Sequence, residues 1–183
     1  MATDISMCSN ALLLIGHSTI SSFTDPGAGP EVASNLYETT YENMLTMHRW
    51  RFATGKATLS RLTATPLNEW DYAFTLPANY LMMIRVYPDS DYELYENKLY
   101  SNQQEVDIDY VFKPDESRLP AYFVKLMEFH LASQFAIPVT DNTAKAEAYR
   151  VMYENQLRRA KFIDSQSRPS DAIVDSPFLE MRA

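Results

Sequence analysis

Glycine is nearly missing from this chain, with four among 183 residues. So few glycines argue against a glycine-rich loop cradling a phosphate. Cysteine occurs once, at Cys8, which excludes an internal disulfide and points to a reducing compartment. Basic residues are short as well: 16 Lys and Arg against 24 Asp and Glu leave a net charge of −8. An acidic chain is a poor candidate for gripping nucleic acid by its phosphates. Histidine appears three times, in separate stretches without metal-ligand spacing. No apolar run is long enough to span a bilayer. The N-terminal MATDISMCSNALLLIG carries Asp4 ahead of its apolar run and no basic leader, unlike a signal peptide. HExxH, CxxC, GxSxG and Walker-type motifs are all absent.

Hydrophobic residues make up 46%, enough for a real core in a chain of this length. Tyrosine is abundant at 12, which suits interfaces, since its ring is apolar at one end and polar at the other. The organising stretch runs from Pro30 to Ala53. Pro30 suits the first helical position, where its missing N–H costs nothing. Val32, Leu36, Thr40, Met44 and Met47 recur every three or four residues and predict one buried stripe, widened by Tyr37, Tyr41 and Leu45. His48-Arg49-Trp50-Arg51-Phe52 follows, with aromatic and basic residues alternating at a strand-like period. Trp50 and Phe52 read as a packed structural corner closing the helix. The competing reading is an aromatic-basic patch for nucleic acid, supported only by His48 and two arginines.

Helical periodicity also predicts a helix over residues 3–16, capped by Thr3 or Asp4 and ended by Gly16. Cys8 lies on its apolar stripe and reads as a small buried residue. His17 reads as a surface or capping residue. Between 53 and 114 the signal is β, including Asp71 to Leu76, Tyr80 to Tyr87 and a hairpin turning at Asn97-Lys98. Asp107 and Asp109 alternate with Val106 and Ile108, which predicts both carboxylates on a wet face. Pro120 opens a helix that is apolar nearly all round, expected to stop at Pro138 and to hold His130 as a hydrogen-bonded core or boundary residue. Asp141 or Asn142 caps the last helix, whose inner stripe is Tyr149, Met152, Tyr153, Gln156, Ala160 and Ile163. Arg158, Arg159 and Lys161 lie mostly off that stripe.

The expected fold is α+β: a four-helix bundle from residues 1–52 and 115–163, an antiparallel β region at 53–114 inserted between the second and third helices, and an extended C-terminal tail at 164–183. The tail is polar, yet Ile173, Val174, Phe178, Leu179 and Met181 are embedded in it. Either it packs on its own domain or it docks on something else. No constellation for catalysis, cofactor or metal binding emerges, so the expectation is a protein without enzymatic activity.

CSNALLLIGHSTISSF in the first helix leads to Ala33 to Tyr37 in the second. The corner MHRWRFA follows, Met47 to Ala53. Then come Tyr72 to Pro77 through Leu81 to Arg85-Val86, the helix Ala146 to Ala160, and Asp164 to Pro169 opening the tail. This order of parts resembles the tail tubular protein A family, the head-to-tail adaptors of short-tailed bacteriophages, with Arg49 where relatives often carry proline. The resemblance implies a virion structural protein: a ring, usually dodecameric, between the portal protein and the tail nozzle, with DNA passing through the lumen unbound and no membrane involved. With such a role in view, residues 164–183 are expected to order only on assembly, Phe178, Leu179 and Met181 filling apolar pockets on the portal or on a neighbouring subunit and Ile173 and Val174 joining that partner-binding surface. The contrasting expectation is a small cytoplasmic interaction module with an acidic surface.

Overall fold

Residues 2–166 are described in the computed structural model of the chain. The fold is α+β; the described residues form four α-helices, with antiparallel strands lying between the second and third. Helix α1 (Asp4–Leu14) is capped by Thr3, whose hydroxyl accepts from Ser6 N–H while the Ser6 hydroxyl accepts from Thr3 N–H. These reciprocal bonds satisfy two of the donors a helix start leaves unpaired. Gly16, at φ 82°, ends the helix: its N–H bonds Leu13 O at 2.9 Å and His17 N–H bonds Leu12 O at 2.9 Å. That left-handed residue is the reason a glycine stands there.

Helix α2 (Ala28–Thr46) begins two residues before Pro30, so proline occupies the third helical position rather than the first. Its missing N–H is still one of the four without an intrahelical acceptor, and the helix tolerates it. The buried stripe is also rotated from the expected one. Ala33, Tyr37, Tyr41, Met44 and Leu45 are enclosed, Val32 and Leu36 are half-buried, and Met47 is exposed. The tyrosines lead because neighbours meet this helix on more than one side. Tyr41 O–H donates to Pro114 O at 2.8 Å, and its ring lies edge-on to Phe123.

Helices α3 (Ala121–Thr140) and α4 (Thr143–Ser165) form a tight antiparallel pair. Helix α3 also packs on α1 and α2, which accounts for its apolar residues nearly all round. Pro138 does not stop it. The helix continues to Thr140 and ends at Asp141, which takes a left-handed conformation with φ 48°. Proline this close to the end removes one late hydrogen bond and leaves the following turn intact. Asn142 then caps α4, its side chain accepting from Lys145 N–H at 2.9 Å.

Among the described residues seven strands make two sheets. The first orders β1 (Thr54–Thr58), β7 (Asp107–Phe112) and β4 (Tyr80–Tyr87) as β1-β7-β4. The second orders β2 (Ser60–Arg61), β3 (Tyr72–Thr75), β6 (Lys98–Ser101) and β5 (Tyr92–Tyr95) as β2-β3-β6-β5. Val111, with Leu81, Met82 and Ile84, joins the helical core, whereas Ile108, Tyr110 and Val86 join Phe74 and Leu99 in a second core. The first sheet is therefore the middle of three layers, covered by helices on one face and by the second sheet on the other. The structure overturns the expectation for Asp109. It is only 6% exposed, because on this central strand Arg49, Lys56 and the Tyr87 hydroxyl reach over its carboxylate at 3.9, 3.6 and 3.4 Å. Asp107, at the strand end, is exposed. The hairpin turns at Glu96-Asn97, one residue earlier than expected; both have positive φ, the mirror-image turn that matches strand twist.

His130 is half-buried on α3, its ring stacked on Tyr153 at 4.3 Å with Nε2 3.3 Å from Gln134 Nε2. Nδ1 has no partner among the described residues, and burial pushes the imidazole below its ordinary pKa. A neutral, stacked ring in a helix interface follows from those neighbours.

Candidate interaction surfaces

The corner expected from Trp50 and Phe52 lies where α2 hands the chain to the first sheet. Instead of alternating like a strand, Arg51–Ala53 forms a short 3-10 turn, after which β1 begins. Trp50 is fully enclosed. Its indole meets Phe123 edge-on at 5.2 Å and His48 edge-on at 4.7 Å. Its Nε1–H donates to Met44 O at 2.7 Å. Met44 sits in the last turn of α2, where carbonyls lack helical partners, so the indole serves as a side-chain cap. Phe52, half-buried, leans on Phe123 at 4.9 Å.

A second carboxylate holds this corner from the other side. Asp164, read from the sequence as the first residue of the tail, belongs to the last turn of α4 and is 2% exposed. Both of its oxygens accept from Arg51 N–H at 3.2 Å, and Oδ1 accepts from Tyr122 O–H at 2.8 Å. Burial first, then this carboxylate, push the Tyr122 phenol above its ordinary range. His48 Nε2 stands 3.9 Å from Asp164, but burial and the nearby Lys161 ammonium hold the imidazole below its usual pKa despite that carboxylate. The contact is therefore one between a neutral ring and a carboxylate at neutral pH, not a full ion pair. Asp164 is missed by sequence reasoning because nothing in its surroundings marks it; only its partners, 113 and 42 residues away, do.

One consequence concerns charge. The basic residues at 49–51 and those at 158–161 look unrelated along the chain. Asp164 joins the first group to the last turn of α4 by accepting from Arg51 N–H, and Lys161 stands near His48; Arg158 and Arg159, on other faces of α4, stay exposed. Arg49 and Lys56 instead face Asp109, at 3.9 and 3.6 Å.

Asp164→Asn is expected to destabilise the fold by about 1.5–3 kcal/mol, the range for hydrogen bonds to a charged partner. The amide keeps one acceptor but turns an NH2 toward donors. Urea unfolding measures the loss, and faster hydrogen exchange at the Arg51 amide would locate it.

Several clefts open on the β region among the described residues, two of which bear on the site. One, of about 280 Å³, lies between residues 62–68 and the β5–β6 hairpin, lined by Pro66, Leu67, Tyr95 and Tyr100. The other, of about 560 Å³, is lined by Lys56, Thr58, Tyr87, Asp107 and Asp109. The carboxylates in the second are already engaged, Asp109 by its two cations and Asp107 by the Thr58 hydroxyl at 2.5 Å. Among the described residues no group of three or more His, Cys, Asp or Glu is placed to hold a metal ion, and no helix is long and apolar enough to cross a membrane.

Large apolar side chains nonetheless face solvent. On α4 they are Val151, Met152 and Phe162, the last 63% exposed; on β5 they are Tyr92, Leu94 and Tyr95; Leu13, Met47, Leu67 and Ile137 stand singly elsewhere. Strand β5 pairs only with β6, so its other edge is open among the described residues. The tail residues Ile173, Val174, Phe178, Leu179 and Met181 lie outside the described residues. No family model matches the chain, and no curated protein matches it.

Proposed function

We propose that this protein is a structural head-to-tail adaptor of a short-tailed phage virion, a ring component between the portal and the tail nozzle. The observation that carries the reading is the coexistence of a complete interior with apolar side chains in solvent on two separate elements. Trp50, Phe123 and Phe135 are fully enclosed, while Phe162 on α4 and the apolar residues of β5 stand outside. A chain that has already filled its core gains nothing by itself from such residues; they become useful when another protein covers them.

In this reading the four helices act as one bundle, residues 53–114 are a β insertion, and Ile173, Val174, Phe178, Leu179 and Met181 contact the portal or a neighbouring subunit. The work is mechanical, with no reaction, cofactor or metal. Net charge −8 per subunit suits a lumen that repels phosphate and lets DNA slide. The setting is the virion neck, after assembly in the host cytoplasm.

The test is to mix the purified protein with portal rings and image the product. The expected result is a ring of this chain seated on the portal. Portal rings that remain bare at every protein concentration would overturn the reading.

A further inference from the structure

We propose that copies of this chain join head to tail, the C-terminal half of the outer α4 face of one copy seating on the open β5 edge of the next. The pairing rests on the ring reading above and names the surfaces that would build it.

The helical side is defined by spacing. Val151, Arg158 and Phe162 are seven and four residues apart, so at 3.6 residues per turn they share one face. All three are exposed, as is Arg159 beside them. Neither Arg158 nor Arg159 forms an ion pair among the described residues; Arg158 only donates to Asn155 Oδ1 at 2.6 Å. An exposed phenylalanine flanked by two uncommitted guanidiniums is an apolar centre with a positive rim.

The sheet side has the opposite character. Tyr92 and Leu94 are 39% and 38% exposed, and Glu93 and Glu96 are exposed beside them. Glu93 accepts from the Trp70 indole at 3.0 Å, and Glu96 has only the short-range partner Lys98 at 3.3 Å. Tyr92 and Leu94 share one face of the strand and Glu93 lies on the other, while Glu96 stands in the turn at its end, so carboxylates border the apolar pair across an edge that is otherwise unpaired among the described residues. Natural proteins protect or cover such edges.

Topology places these patches on different outer layers. The helices cover one face of the first sheet, and the sheet containing β5 covers the other. Two complementary patches at different sites on one chain make a heterologous contact, which propagates from copy to copy and closes when its rotation permits. Their opposite charges fix the register and disfavour like-to-like pairing.

Single-cysteine chemistry tests the pairing. Cys8 is fully enclosed, and burial, with Asp4 nearby, pushes its thiol up to about 12, so it stays out of the reaction. Phe162→Cys and Leu94→Cys are made in separate chains and mixed at high concentration under mild oxidation. The expected result is a disulfide-linked heterodimer at severalfold the yield of either homodimer. Adding Arg158→Glu and Arg159→Glu to the Phe162→Cys chain should drop that yield to background. Adding Glu93→Lys and Glu96→Lys to the Leu94→Cys chain should restore it. Thermal melts identify variants that stay folded, and both reversals are read only on those.

If the segment after Ser165 or another virion protein covers Phe162, the mixture gives no more heterodimer than either chain alone, and the pairing is overturned. A ring imaged on portals with other surfaces in contact overturns the pairing but leaves the adaptor reading standing. Selective heterodimers from a protein that never binds a portal do the reverse.

Discussion

Trp50→Ala should remove about 3–5 kcal/mol of folding free energy, the range for deleting a large aromatic side chain from a packed interior. The position is fully enclosed, and its ring is the hub where α2, α3 and the start of the first sheet meet. The void would face Phe123, Phe52 and Tyr122, themselves in contact, so none can swing in without abandoning another partner. The substitution also strands the Met44 carbonyl, whose donor is the indole N–H at 2.7 Å. At roughly 2–4 °C per kcal/mol for a chain of this size, Tm should fall by about 6–20 °C. Trp50→Phe separates the two contributions. It keeps most of the apolar bulk and loses the hydrogen bond, so about 1–3 kcal/mol is expected. A Trp50→Ala protein melting within about 1 °C of the parent would mean that the corner does not organise the fold.

The helices were legible from periodicity because one stripe, or for α3 nearly the whole surface, must be apolar wherever a helix is packed. The strands were legible from β-rich runs punctuated by proline and turn residues. What escaped that reading depends on which elements become neighbours. Period two marks Asp109 as exposed, and the inference fails because side chains from other segments, Arg49, Lys56 and Tyr87, cover it on the central strand. Burial is tolerable there because Arg49 and Lys56 reach the carboxylate from other segments. The stripe on α2 is rotated toward Tyr37 and Tyr41 for a similar reason: several partners compete for the helix, and a one-sided pattern cannot rank them. Pro138 shows the limit of a local rule, since a proline in the last turn displaces less than one in the middle.

Asp164 is the sharpest case for the site. Locally it is an acidic residue before a polar, proline-containing stretch, which reads as the opening of a tail. In space it is the anchor that fastens the end of α4 to the corner through Arg51 and Tyr122. This anchor fixes the last turn of α4, the helix that carries Phe162, against the corner. The position of the candidate surface is thus set by a contact that no motif encodes, while its composition, an exposed Phe162 among arginines, is visible in the sequence once the helical face is known.

Deleting residues 170–183 should leave a folded protein that fails to attach to DNA-filled heads. The helical core runs through Ala160 and the Asp164 anchor, all retained in the truncated chain. Its melting free energy should therefore stay within about 1 kcal/mol of the parent, as for changes away from a core. Attachment should suffer far more. The deletion removes Ile173, Val174, Phe178, Leu179 and Met181. Fully burying a large aliphatic or aromatic side chain is worth about 1.5–3 kcal/mol. The gross loss per subunit is then of order 10 kcal/mol, more than enough to abolish binding even after ordering costs are subtracted. Sedimentation of heads mixed with the truncated chain measures it directly. Normal attachment would remove the tail from the docking surface. A truncated chain that no longer folds would show instead that these residues complete their own domain, the other outcome left open by their composition.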